Sequence, residues 1–134
     1  MKLITRYTDY AIRALCFIAK SDKEVVSVPD LVASLKIPRP FLRKILQVLN
    51  TQGILSSCKG QGGGFSLARK PEKIFLMDLM NIFQGPFKLN ECFFKMKCCP
   101  NTKTCLLRKR ISRIEQYVIA QLQSITIASL LGSG

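Results

Sequence analysis

The sequence predicts a mainly α chain with a small β wing, and three observations carry that prediction. Apolar residues recur three and four apart through residues 4–20, 38–53 and 106–127, the spacing of one buried helical face. The one glycine cluster, GQGGG at residues 60–64, separates two short alternating segments, the pattern of a hairpin. With 134 residues at 48% hydrophobic, the chain can bury one core and is too short for two independent domains.

The elements follow in order. Ile4, Tyr7, Ala11, Ala14, Leu15 and Ile18 lie on one face of a first helix over residues 4–20, with Cys16 placed in the core. In SVPDLVASLKI, Ser27 caps a second helix running from Pro29 to Leu35. Pro29 suits its first turn, and Asp30 complements the positive end. Lys36, Ile37 and Pro38 make a tight connection into PRPFLRKILQVLNTQG, which carries Phe41, Leu42, Ile45, Leu46 and Leu49 on one face until Gly53 ends it. Two short helices joined by a tight turn form a helix-turn-helix. The stretch ILSSCKGQGGGFSLAR adds two strands around a glycine-rich tip, and a helix-turn-helix followed by such a hairpin is a winged helix-turn-helix.

From Pro71 to Phe83 the pattern predicts a short connecting strand and a fourth apolar helix, ended by Gln84, Gly85 and Pro86. Met77 and Met80 belong to its core packing. The stretch LLRKRISRIEQYVIAQLQSITI returns to helix, with Leu107, Ile111, Ile114, Val118, Leu122 and Ile125 in register. Lying outside the winged helix, it has little of its own chain to bury against and pairs with its copy as a long C-terminal dimerisation helix, leaving Arg108, Lys109, Arg110 and Arg113 to solvent or phosphate. The chain thus divides into a DNA-binding winged helix at 1–85, a cysteine-rich loop at 86–105, and the dimerisation helix and tail at 106–134.

Charge points to the partner. The net charge is +13, from 21 Lys and Arg against 8 Asp and Glu, an excess that suits a polyanion, with double-stranded DNA first among candidates. No acidic residue lies between Asp30 and Glu72, a span holding Lys36, Arg39, Arg43, Lys44, Lys59, Arg69 and Lys70. Arg39, Pro40, Arg43 and Lys44 occupy the start and exposed face of the third helix, where base edges are read, and Arg39 and Arg43 are the chosen base readers. Lys59, Gly60, Gln61 and Gly62 form the wing tip, close to backbone phosphate or the minor groove. GQGGG lacks the GxxxxGK[ST] spacing of a nucleotide loop.

The amino terminus has dispersed charges and no signal-peptide core, so a cytoplasmic location is expected. Residues 116–134 carry no charge, yet Gln116, Gln121, Gln123, Ser124, Thr126 and Ser129 interrupt them, which argues against a membrane span. With no histidine, few acids and no catalytic constellation, general acid-base chemistry has little material, and an enzyme is not expected.

Four of six cysteines, Cys92, Cys98, Cys99 and Cys105, fall within fourteen residues. In a reducing compartment such crowding favours metal or redox chemistry over disulfides. Structural zinc sites come as CxxC pairs, whereas this loop has a CC doublet with wide gaps, so iron-sulfur ligation fits better. Adjacent Cys98 and Cys99 do not readily share one iron. Cys99 is the chosen ligand, with Cys98 the alternate, because Pro100 follows it and Cys105 lies at the spacing matching Cys92. Cys58 in the wing is a free thiol.

Together MKLITRYTDYAIRAL, IPRPFLRKILQVLNTQGILSS, KGQGGGFSLAR and the trio Cys92, Cys99 and Cys105 resemble the winged-helix regulators of the IscR, NsrR and RirA type, over nearly the whole chain. The resemblance implies a homodimeric transcription factor, a repressor when intact on a palindromic operator, controlled by an iron-sulfur cluster that senses nitric oxide, redox state or iron-sulfur status. IscR-like members use a histidine shortly after the third cysteine, whereas this chain has Arg108 there and no histidine anywhere. The NsrR-like members carry a TDY sequence, matched here by Thr8, Asp9 and Tyr10. By resemblance Asp9 from the other subunit is the fourth ligand, with Cys98 or Glu91 as alternates. A 4Fe-4S cluster is expected, with 2Fe-2S the alternative, and aerobically prepared protein can lack it. The alternative function is a cluster-independent regulator of the same family that uses thiol oxidation or a protein partner.

Overall fold

A computed structural model describes residues 3–60, 62–87 and 106–132 of the chain. Helix α1 spans Arg6–Lys20, with Thr5 as its N-cap. Helix α2 spans Val28–Leu35, and the expected cap is present: the Asp30 N–H donates to Ser27 Oγ at 3.2 Å. Helix α3 spans Arg39–Thr51. Strands β1 (Leu55–Cys58) and β2 (Gly64–Leu67) pair antiparallel, with Leu55 opposite Leu67 and Cys58 opposite Gly64. A single 3-10 turn at Pro71–Lys73 leads to α4 (Leu76–Gln84), and α5 (Leu106–Gln123) and the short α6 (Ile127–Leu130) complete the described chain.

One core joins these elements. Ala11, Ala14, Leu15 and Ile18 of α1 meet Leu31 of α2, Leu42, Ile45, Leu46 and Leu49 of α3, and Ile54 and Leu55 at the root of the wing. Burial of each large aliphatic side chain stabilises by about 1.5–3 kcal/mol, so the helix-turn-helix is held as one rigid unit. Val26, between α1 and α2, forms a bridge to Phe65, exchanging hydrogen bonds of 2.9 and 2.8 Å, and so ties the wing to the helical body. A Cβ at Gly64 would collide with the Val26 carbonyl, which is why this strand begins on a glycine.

Four expectations are corrected. The wing strands do not alternate: only Leu55 of β1 is buried and β2 is uniformly half-buried, because a two-stranded ribbon with most of one strand in solvent has no second covered face. The segment before α4 is not a strand but the 3-10 turn followed by an isolated bridge between Phe75 and Thr126. Helix α5 stops at Gln123 rather than continuing through Ile125. Thr126 caps the new helix α6 there, exchanging hydrogen bonds with Ser129 in a capping box; a second cap competes with continuation. Consequently Ile127 is completely buried in the main core, so part of the expected tail belongs to the body of the fold.

Phe41 and Tyr7 are the fourth correction. The helical spacing predicts both on apolar faces, yet they are 43% and 37% exposed. Each lies at the flank of its helix, where the core ladder no longer covers it.

Among the described residues, helix α5 packs near its C-terminal end. Leu122 and Val118 meet Leu76 and Met80 of α4, while Leu106, Leu107, Ile114 and Tyr117 are exposed.

Candidate nucleic-acid interface

The turn between α2 and α3 is set by Lys36, whose φ of 56° is left-handed. That geometry costs a non-glycine residue about 1 kcal/mol, and the Lys36 N–H recovers a hydrogen bond of 2.9 Å to the Val32 carbonyl. Buried Ile37 then anchors the connection, and Pro38 and Pro40 begin α3 without requiring donors there.

The apolar ladder Leu42, Ile45, Leu46 and Leu49 faces inward, so Arg39, Pro40, Arg43, Lys44 and Gln47 are left exposed on the remainder of α3. Arg39 and Arg43 line one shallow depression with Val28. Among the described residues no carboxylate pairs with Arg39, Arg43 or Lys44. Three cations on one helix face with no carboxylate partner among the described residues form a surface for an external anion. The structure thus brings Arg39, Pro40, Arg43 and Lys44 onto one element with outward placement.

The wing supplies Lys59 and Gly60 as exposed residues, and Gly62 beside them. Gly60 and Gly62 have φ of 100° and 74°, conformations open to glycine at little cost, and neither places a side chain over its own backbone. Gln61 lies outside the described residues. At the other end of α3, Arg69 donates to the Gln52 carbonyl at 3.4 Å, keeping a cation beside the helix C-terminus.

Sequence reasoning missed how α1 meets this surface. Tyr7 and Phe41 form a tilted ring pair with centroids 6.1 Å apart, and Lys44 Nζ lies 5.9 Å from the Tyr7 ring centre. The first turn of α1 is therefore fastened to the outward flank of α3. The available signal was aromatic residues at the edge of each ladder.

Asp9 sits one turn into α1, with its carboxylate 3.0 Å from Arg13 Nε in a partly exposed pair. Its neighbour Thr8 is completely buried. Thr8 Oγ1 donates to Gln84 Oε1 at 2.8 Å, the Thr5 N–H donates to the same oxygen at 3.0 Å, and Gln84 Nε2 donates to the Leu3 carbonyl at 2.9 Å. The TDY motif thus has a structural half and an accessible half. Cys92, Cys98, Cys99 and Cys105 lie outside the described residues, as does Glu91. Among the described residues no three potential metal ligands converge. Cys58 is exposed, and burial raises the Cys16 thiol above its ordinary range, partly offset by Lys20.

The model of the Rrf2 family, described as iron-dependent transcriptional regulators, matches residues 4–133. The chain belongs to the Rrf2 family. Among its Rrf2 relatives, the HTH-type transcriptional regulator NsrR of Bacillus licheniformis is 30% identical over 133 residues, covering 98% of this chain and 92% of that protein. Two solved structures share the Rrf2 fold at lower identity. CymR, the global cysteine regulator of B. subtilis, superimposes with a TM-score of 0.81 at 22% identity, over 98% of this chain and 97% of that one. IscR of T. potens gives 0.74 at 22% identity, over 98% and 86%. The Rrf2 assignment makes this chain a transcriptional regulator and not an enzyme. No helix among the described residues is long and apolar enough to cross a membrane.

Proposed function

We propose that this Rrf2 regulator is a homodimeric, sequence-specific repressor whose hold on a palindromic operator is controlled by an iron-sulfur cluster. The observation that supports DNA recognition is the set Arg39, Arg43 and Lys44 on the outer face of α3, with no carboxylate partner among the described residues. Arg39 and Arg43 match guanine O6 and N7 in the major groove, while Lys44 and Lys59 neutralise phosphates. The wing backbone at Gly60, Gln61 and Gly62 follows the adjacent backbone or minor groove. Exposed Leu107 and Ile114 of α5 suit a second copy of the chain, and a two-fold dimer sets half-sites about 34 Å apart.

The donor set fits a cluster. Thiolates select iron-sulfur centres, and Cys92, Cys99 and Cys105 supply three, with Cys98 as alternate; the partner subunit's Asp9 completes the set. In this chain Asp9 is accessible and held by one exposed ion pair, an interaction worth at most about 1 kcal/mol, so its carboxylate is free to reorient. When bound, the cluster, 4Fe-4S or 2Fe-2S, supplies a centre reactive toward nitric oxide and oxygen. Thr8 and Gln84 hold the turn that carries Asp9 against the end of α4, so a change in what Asp9 engages is transmitted to a fixed point of the fold. The family description as iron-dependent supports this reading.

A second reading, regulation by thiol oxidation or a protein partner without a cluster, is favoured by the likeness to a global cysteine regulator and by the exposed Cys58. Anaerobic reconstitution, with visible absorbance, iron and sulfide assay, and DNA binding on one sample, separates the two. Protein that stays colourless and takes up stoichiometric zinc overturns the cluster. Unchanged cofactor content and DNA affinity in Cys92→Ser supports the second reading.

A further inference from the structure

We propose that Phe41 is a specificity-determining residue that reads the 5-methyl group of a thymine in the operator. The inference deepens the DNA-binding reading above and rests on it. Phe41 is the third residue of α3, and the N-terminal residues of a recognition helix are those that reach base edges. Phe41 is 43% exposed although only about a quarter of a turn round the same helix Leu42, Ile45, Leu46 and Leu49 are buried completely or nearly so. An apolar ring left in water beside Arg39, Arg43 and Lys44 is matched by a partner that is anionic outside and apolar at one point within. Duplex DNA is such a partner, because the thymine methyl is the one apolar group on the floor of the major groove.

The ring is also held in place before binding. Tyr7 of α1 packs against it with centroids 6.1 Å apart, and Lys44 Nζ lies 5.9 Å from the Tyr7 ring centre. A side chain fixed in advance loses little conformational freedom on docking. The rest of the helix leaves this role open: α3 has no acidic residue to accept from cytosine N4, and its cations suit guanine or phosphate.

The test begins with a site selected by the wild-type protein from a random duplex pool. Each thymidine is then replaced singly by deoxyuridine, which removes the methyl group and nothing else. At one position per half-site the replacement weakens wild-type binding by about fourfold, the worth of one buried methyl-sized group. Phe41→Ala binds thymidine and deoxyuridine equally at that position, whereas Phe41→Leu keeps part of the discrimination. Deoxyuridine tolerated at every position overturns the proposal, as does Phe41→Ala retaining the full wild-type discrimination, which would assign the contact to Pro40. Failure to select any sequence overturns the DNA reading together with this one.

Discussion

Thr8 and Gln84 are 76 residues apart in sequence, yet Thr8 Oγ1 donates to Gln84 Oε1 at 2.8 Å, which joins the first turn of α1 to the last turn of α4. Gln84→Ala strips the partner from the buried Thr8 hydroxyl and from the Thr5 N–H, and is expected to cost about 1–3 kcal/mol; shape-preserving Thr8→Val costs about 1 kcal/mol. Urea denaturation measures both. A midpoint for Gln84→Ala equal to wild type would show that the network contributes nothing.

At the C-terminus, two isoleucines have opposite roles. Ile127 is completely buried and Ile114 is 52% exposed. Ile127→Ala is expected to lose about 2–5 kcal/mol of folding stability. Ile114→Arg leaves the fold intact and shifts sedimentation toward monomer. A dimer unaffected by Ile114→Arg removes the exposed stripe of α5 from the interface.

DNA titrations over a salt range distinguish cations that position from those that read. Lys44→Gln reduces the magnitude of the salt slope by about 0.9 and weakens all sequences alike. Arg39→Ala costs about 1–3 kcal/mol on the selected site and relaxes preference at one base pair. Equal losses on selected and random duplex by Arg39→Ala would reassign it to phosphate.

For the cluster, Cys92→Ser is expected to abolish iron and sulfide uptake during anaerobic reconstitution. Asp9→Asn still assembles the cluster, and its visible absorbance then decays faster in air. Decay at the wild-type rate would exclude Asp9 as a ligand and leave its pairing with Arg13 as its role.

Thiol chemistry orders the two described cysteines. Burial raises the Cys16 thiol, while Cys58 is exposed in β1. Iodoacetamide at mildly alkaline pH therefore labels Cys58 well before Cys16, read by peptide mass spectrometry. With its folded value raised, Cys16 favours the native state below the ordinary thiol range, and that contribution is lost as pH rises through the folded value. Equal labelling rates would contradict the burial.

Legibility followed periodicity and chemistry. The ladders of α1 and α3 and the Ser27 cap were plain, because each rests on local spacing that tertiary packing reinforces. Phe41 and Tyr7 were misplaced since a helical repeat gives an angle, and the width of the covered arc depends on neighbours elsewhere in the chain. The break after Gln123 was hidden in an apolar run, where the Thr126 and Ser129 pairing outweighed continuation. The Gln84 network joins residues too distant for any local pattern, although its position just before Gly85 and Pro86 marked the end of α4. The cation face was legible from composition alone, since α3 has no acid to neutralise it.

Helix α5 is clamped near Leu122 and leaves the body of the fold toward Leu106. From Leu122 to Leu106 the helix is a lever arm about 24 Å long at 1.5 Å per residue. A tilt of about 5° at the clamp displaces the far end by about 2 Å, so a small adjustment against α4 is magnified where α5 meets the cysteine-bearing segment. Run in reverse, a displacement of that end reaches the base of the helix reduced in amplitude and increased in force, as in any lever.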